Sequence, residues 1–304
     1  MRIVFMGTPS FAAASLEKLF TGSHTIVGVF SQPDRKKDRG MKVSLSPVKE
    51  LALSYGIEVF QPASLRDREV MTVLEGLKPD LIAVVAYGKL LPREILELPK
   101  FGCINIHGSL LPKYRGAAPV QWSVINGDKT TGVTSMHMAE KMDAGDIILQ
   151  RETEISDGET AVALYDRLAL MGAELLCETI DALEKGSAAR TTQNENLVTF
   201  APPLTKDMSL IDWTKSAFEV SCLIRGLQPW PVASANIDGT LLKIYSASHD
   251  AGETKRTAGE ITGADVNGIK VACGTGSVLI TEVQAPGKKR LTAAEYLRGH
   301  PICR

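Results

Sequence analysis

The chain has few cysteines, no long apolar run and no charge surplus, and each shortage argues against a class of protein. Its five cysteines (Cys103, Cys177, Cys222, Cys273, Cys303) are scattered, odd in number and contain no C-x-x-C pair. That pattern argues against a disulfide framework or a structural zinc site and favours a reducing cytoplasm. The longest apolar run, Leu81 to Tyr87, is far too short for a bilayer span, which takes about 20 residues. Arg2 leads at once into a strand-like Ile3-Val4-Phe5, without the apolar region or cleavage site of a signal peptide. No G-x-G-x-x-G follows that first strand, so a dinucleotide fingerprint is missing where it would be expected. The formal net charge is −1, so any affinity for nucleic acid must come from where the charges lie. Internal repeats and low-complexity tracts are absent.

What is present reads as ordinary globular protein, 44% hydrophobic and 23% charged over 304 residues. That length predicts roughly two domains, each able to bury a core. The first stretch alternates strand and helix. Residues 2–6 form a strand broken at Gly7-Thr8-Pro9-Ser10, and a helix with Ser10 as N-cap runs to Phe20. A strand over 25–30, a helix near 46–55, a short strand at 58–60 and a helix near 66–76 follow. The run Leu81-Ile-Ala-Val-Val-Ala86 lacks alternation, as a central parallel strand covered on both faces does. After it comes Tyr87-Gly-Lys-Leu-Leu-Pro92, where composition favours Leu90 and Leu91 as core. Ser156-Asp-Gly-Glu159 reads as a capping box opening a long amphipathic helix that ends at Gly186. The expected class is α/β, a Rossmann-like, mostly parallel sheet over 1–189. Composition changes at the tandem prolines after Ala201, which suggests a linker over 190–207. Residues 208–304 show one helix and short glycine-punctuated strands, the pattern of a small β-barrel.

Chemistry concentrates between Gly102 and Pro119. A strand over 102–107 places Asn105 and His107 on one face and Ile104 and Ile106 on the other. A carboxamide and an imidazole at the C-terminal edge of a strand lie where open α/β sheets form their ligand crevice. The following Ser109 to Pro119 must be a shaped loop. Asp143, in the loop Lys141 to Asp146, reads by itself as an Asx-turn residue. Between Ser31 and Lys49, Arg35, Lys36, Lys37, Arg39, Lys42 and Lys49 face only Asp34 and Asp38. That stretch is a solvated basic loop or a contact for phosphates.

Asn105-Ile-His107 followed by Ser109-Leu-Leu-Pro112 resembles the folate-dependent formyltransferases. The continuation Lys113-Tyr-Arg-Gly-Ala-Ala-Pro119 is similar to the methionyl-tRNA formyltransferase family in particular. The resemblance implies a formyl group carried by 10-formyltetrahydrofolate, with no metal, and delivered to the amino group of initiator Met-tRNA by a cytoplasmic monomer. It implies Asn105, His107 and Asp143 as catalytic, and Ser109, Leu110, Leu111 and Pro112 at the folate. It further implies Arg35, Arg39 and Lys206 at the tRNA, and 208–304 as an OB-like tRNA-binding domain. Met6 to Pro9 then lies near the aminoacyl substrate, although a tight turn needing glycine explains it equally. Lys37-Asp38 departs from the glycine-containing spacing of the family's basic loop.

Formyl transfer needs an amine to attack the formyl carbon, donors for the oxyanion that develops, and a proton for the departing folate nitrogen. Asn105 offers an amide donor, His107 can donate or move a proton, and Asp143 can orient the imidazole. His137 has no assigned role. Because glycinamide ribonucleotide formyltransferases often carry a histidine there, that acceptor, or water as in formyltetrahydrofolate deformylase, is the nearest alternative. A non-catalytic RNA-binding protein and a NAD(P)-dependent oxidoreductase are the readings from other classes.

Overall fold

The structure, a computed structural model, describes residues 1–36, 43–252 and 255–302. The chain divides into two compact units. One comprises Met1–Gly116, Thr131–Thr153 and Tyr165–Phe200, and the other Ala117–Thr130, Glu154–Leu164 and Ala201–Arg304.

In chain order the first elements are β1 (Arg2–Gly7), α1 (Ser10–Phe20), β2 (Thr25–Phe30), β3 (Arg35–Lys36) and β4 (Val43–Ser44). Next come α2 (Pro47–Ser54), β5 (Val59–Phe60), α3 (Arg68–Leu77), β6 (Leu81–Val85), α4 (Arg93–Leu96) and β7 (Cys103–His107). After β8 (Arg115–Gly116) and α5 (Pro119–Ile125) follow β9 (Thr130–His137), β10 (Ile147–Glu154) and α6 (Ala161–Glu184). The sheet of the first unit runs β10-β9-β7-β6-β1-β2-β5. β5, β2, β1, β6 and β7 are mutually parallel, and β9 is antiparallel to β7. The unalternating sequence of β6 is explained by its burial along its whole length. Strand order reverses beside β1, where Gly7 stands opposite Val85 of β6. Such a switch point opens a crevice at the C-terminal ends of the strands. Gly7 is needed there, since a Cβ would lie 2.6 Å from the Ala12 Cβ and 2.9 Å from the Val85 carbonyl.

Local expectations changed in four places. Pro9, extended, is the N-cap of α1, and Ser10 is already helical. Ser156 and Glu159 close a turn ahead of α6, whose first turn is served by the Thr160 hydroxyl, 3.3 Å from the Ala163 N–H. Leu91 is buried but Leu90 is 56% exposed, because the loop after β6 turns only one of the pair inward. In the basic stretch, β3 and β4 form a short antiparallel pair, Arg35 opposite Ser44 and Lys36 opposite Val43. Arg39 lies outside the described residues. Lys49 is committed internally, with its ammonium 2.6 Å from both Asp34 and Gln61.

After β11 (Phe200–Ala201), the second unit adds α7 (Ala217–Gly226), β12 (Ser234–Ile237), β13 (Thr240–Asp250) and β14 (Ile261–Asp265). β15 (Gly268–Ala272), β16 (Ser277–Gln284), β17 (Arg290–Thr292) and α8 (Ala293–Gly299) complete it. The barrel-like expectation is met by a curled antiparallel sheet in the order β12-β13-β16-β15-β14, with β17 on β16. Register shifts in β13 between Ile244 and Ala247 mark irregularities of the kind that sharpen twist. Its core gathers Ile224, Leu242, Ile244, Ile269, Ile280 and Val283. Residues 117–130 belong here because α5 packs on α7: a Cβ on Gly226 would lie 2.3 Å from the Ile125 side chain. The helix α8 went unread in the sequence although Thr292-Ala-Ala-Glu295 is a capping box, formed with the Thr292 hydroxyl 3.2 Å from the Glu295 N–H. No described helix is long and apolar enough to cross a membrane.

Candidate active site

The site is built from β7, the segment that follows it as far as Gly116, and the loop between β9 and β10. Within β7, Ile104 and Ile106 are buried, while Asn105 is partly exposed. The strand lies between β6 and β9, with Asn105 opposite Val84 and Met136, and His107 opposite Thr134. Period-two alternation puts the Asn105 and His107 side chains on one face.

His107 is nearly buried, and its Nε2 lies 2.8 Å from the Tyr114 carbonyl oxygen. A carbonyl only accepts, so Nε2 carries the hydrogen, and Nδ1 is the nitrogen left to take up a proton. Nδ1 faces the Asp143 carboxylate at 3.8 Å. That is beyond hydrogen-bonding range, and the two form an ion pair only when the ring is protonated. The same carboxylate accepts from the Gly116 N–H at 2.9 Å. Asp143 and Tyr114 both sit at positive φ, 50° and 61°. Such conformations cost about 1–3 kcal/mol each and persist where the surroundings hold them.

The Asp143 loop is held from several sides. Gly145 passes so close to β9 that a Cβ would fall 1.7 Å from the His137 carbonyl oxygen. The Gln193 amide donates to the carbonyls of Asp143 and Gly145, each at 2.8 Å. Asp146 accepts from Arg190 at 2.9 Å and Thr192 at 3.0 Å, and these bonds hold its carboxyl below the usual range. Residues 190–193, which the sequence suggests as linker, thus fold back onto the site loop. Gln193 escaped sequence reasoning because no motif marks it and its partners are main-chain atoms. His137 sends its N–H to the Asp146 carbonyl at 2.9 Å. Burial, seconded by the charge of Arg190, pulls its imidazole below the ordinary histidine range.

The expected folate residues are divided by the structure. Ser109 is fully buried, and its hydroxyl donates to the Lys113 carbonyl at 2.7 Å. Leu111 is also buried, with its N–H donated to Thr134 Oγ1 at 3.1 Å and its carbonyl accepting from Gln150 at 2.8 Å. Leu110 and Pro112 are the partly exposed pair, and the Leu111–Pro112 peptide is cis. A cleft of about 630 Å³ opens elsewhere in the same unit, lined by Leu65, Arg66, Met71, Leu91, Pro92 and Glu140 among others. Asn105, His107 and Asp143 are not in its wall. Of the expected tRNA residues, Arg35 is on β3 of the first unit, and Lys206 is exposed at the start of a 3-10 turn in the second.

Residues 1–180 match the formyl transferase family, and residues 203–301 match the formyl transferase C-terminal domain. The chain belongs to the formyl transferase family. Among its relatives, the methionyl-tRNA formyltransferase of Alkaliphilus oremlandii is 49% identical over 99% of this chain and 97% of its own length. That of Clostridium novyi is 48% identical over 99% and 98%. Solved structures share the fold at lower identity. WlaRD, a sugar 3N-formyl transferase, aligns with a TM-score of 0.67 at 19% identity, over 95% of this chain and 99% of its own. HypX from Aquifex aeolicus, solved with tetrahydrofolic acid, aligns with a TM-score of 0.62 at 20% identity, over 98% of this chain and 47% of its own.

Proposed function

We propose that the chain transfers the formyl group of 10-formyltetrahydrofolate to the free amino group of the methionyl residue on initiator Met-tRNA, giving N-formylmethionyl-tRNA for translation initiation. The observation that carries this reading is the convergence of His107 and Asp143, 3.8 Å apart beside Asn105, in a chain 49% identical to a methionyl-tRNA formyltransferase.

The neutral amine attacks the formyl carbon, and the electrons of the C=O bond move to oxygen. Asn105 donates its amide N–H to that oxyanion, the group whose stabilisation lowers the barrier most. The proton shed by the amine passes to His107 Nδ1, where the Asp143 carboxylate stabilises the imidazolium. Collapse of the intermediate reforms the C=O bond and breaks the bond to the folate nitrogen, which leaves with the proton returned by the His107 imidazolium. Leu110 and Pro112 border the folate, while Ser109 and Leu111 set the shape of their loop. Arg35 and Arg39 meet phosphates of the acceptor arm, and Lys206 and the curled sheet of 208–304 add a second contact with the tRNA. The enzyme works as a cytoplasmic monomer.

Formyl transfer from 10-formyltetrahydrofolate to charged initiator Met-tRNA, with glycinamide ribonucleotide and water as competing acceptors, tests the reading. Formylmethionyl-tRNA is the expected product; formate or formylglycinamide ribonucleotide alone would discard the tRNA acceptor.

A further inference from the structure

Tyr114, Arg115 and Gly116 are consecutive, and the two outer residues touch the two reacting side chains. The Tyr114 carbonyl accepts from His107 Nε2 at 2.8 Å, and the Gly116 N–H donates to Asp143 Oδ2 at 2.9 Å. Whatever fixes Arg115 therefore fixes both contacts. The Arg115 side chain is 2% exposed, and a buried guanidinium needs partners for its donors. Its Nε and Nη2 donate to the Gln193 side-chain oxygen at 3.1 and 2.8 Å. Nη2 and Nη1 reach the Glu195 carboxylate at 2.8 and 3.4 Å.

Gln193 is thereby fully used. With its oxygen taken by two arginine donors, its NH2 is the end that meets the carbonyls of Asp143 and Gly145, each at 2.8 Å. The amide orientation follows from donor and acceptor types alone. The contacts close a circuit. Arg115 grips Gln193, Gln193 grips the Asp143 main chain, and the Asp143 side chain grips the main chain next to Arg115. Asp143 is pinned at both its backbone and its carboxylate, which is what a residue at φ 50° requires.

We infer that Arg115 and Gln193 are positioning residues, which hold Asp143 and His107 in register for proton transfer during formyl transfer. The inference rests on the roles proposed above for those two side chains. It makes the segment after α6, through Gln193 and Glu195, part of the working site.

Gln193→Glu separates this role from plain fold support. It keeps oxygen acceptors for Arg115 but replaces the NH2 donors with an oxygen facing two carbonyls. The clamp on Arg115 survives while the link to Asp143 is lost. We expect kcat to fall about 10- to 100-fold, with KM for Met-tRNA and for the folate both within about 3-fold, and Gln193→Asn to recover little. Glu195→Ala takes the carboxylate from both Arg115 and Lys141 but leaves the two Gln193 contacts on Arg115, and in the folded variant kcat should fall several-fold at unchanged KM. The His107 imidazole 15N resonances, assigned by their loss in His107→Gln, should move in both variants. This last readout does not depend on turnover. A wild-type protein inactive toward Met-tRNA would therefore sink the functional reading, while the resonances would still decide whether Arg115 and Gln193 hold the ring in place. Unmoved imidazole resonances, or kcat within 2-fold of wild type in a folded Gln193→Glu protein, would overturn the positioning role. If Gln193→Glu does not fold, the Glu195→Ala kcat and resonances decide in the same way.

Discussion

His107 Nε2 lies 2.8 Å from the Tyr114 carbonyl oxygen, so the imidazole presents Nδ1 to Asp143. That contact settles which nitrogen can accept a proton, a point on which the Asn-x-His motif is silent. In the proposed mechanism the opposing carboxylate stabilises the charged ring only if its own position is held. Asp143→Asn should leave the Gly116 N–H with an acceptor and tolerate the positive φ, since Asn adopts that region readily. Stability should stay within about 1 kcal/mol of wild type by urea unfolding, while kcat drops about 100-fold or more. Near-normal turnover would remove the carboxylate charge from the mechanism.

Asn105 is the proposed oxyanion donor. Asn105→Ala should lower kcat by about 10²- to 10³-fold, the usual loss for one such donor, with folate affinity retained. Single-turnover formyl transfer and equilibrium folate titration measure the two separately. A comparable loss in both would make Asn105 a binding residue.

Two glycines make a paired stability test. Gly145→Ala drives a methyl into the His137 carbonyl, and strand and loop must part, at a cost of about 3 kcal/mol or more. Gly76, exposed in α3, has nothing within 4 Å of a built Cβ. Gly76→Ala should stabilise the protein by about 0.5–1 kcal/mol through helix propensity. Chemical denaturation should move the two midpoints in opposite directions.

Tyr87 is buried in the core of the first unit, its hydroxyl has no hydrogen-bond partner among the described residues, and burial pushes its pKa up to about 12. An unpaired buried hydroxyl costs about 1–3 kcal/mol. Tyr87→Phe should therefore raise the unfolding free energy by about 1 kcal/mol, and a fall would show that the hydroxyl is bonded in solution.

The Asp146 carboxyl is held low first by Arg190 and then by Thr192. A depressed folded pKa adds stability above the unfolded value, about 3.9, and that stability disappears as pH falls through the folded pKa. Arg190→Gln should therefore destabilise the protein modestly at pH 7, by less than about 1 kcal/mol for so exposed a pair. The difference from wild type should shrink to nothing in strongly acidic solution. A difference independent of pH would assign Arg190 to packing instead.

Much of this protein follows from local sequence. Unalternating β6 and the alternation of Asn105 and His107 in β7 are set by side-chain size and backbone period, which act between near neighbours. The long match around Asn105 and His107 likewise carried the family. Other features arose only on folding. The turn of Leu90 away from the core and the return of 190–193 to the Asp143 loop are outcomes of packing, and the choice of His107 Nδ1 follows from the fold of the loop that brings Tyr114 back to the ring. Gln193 meets Asp143 through main-chain carbonyls, which every residue possesses and no sequence pattern distinguishes. Arg115 stood inside the recognised motif, yet its role depends on burial beside Gln193 and Glu195, and burial is a property of the packed chain alone.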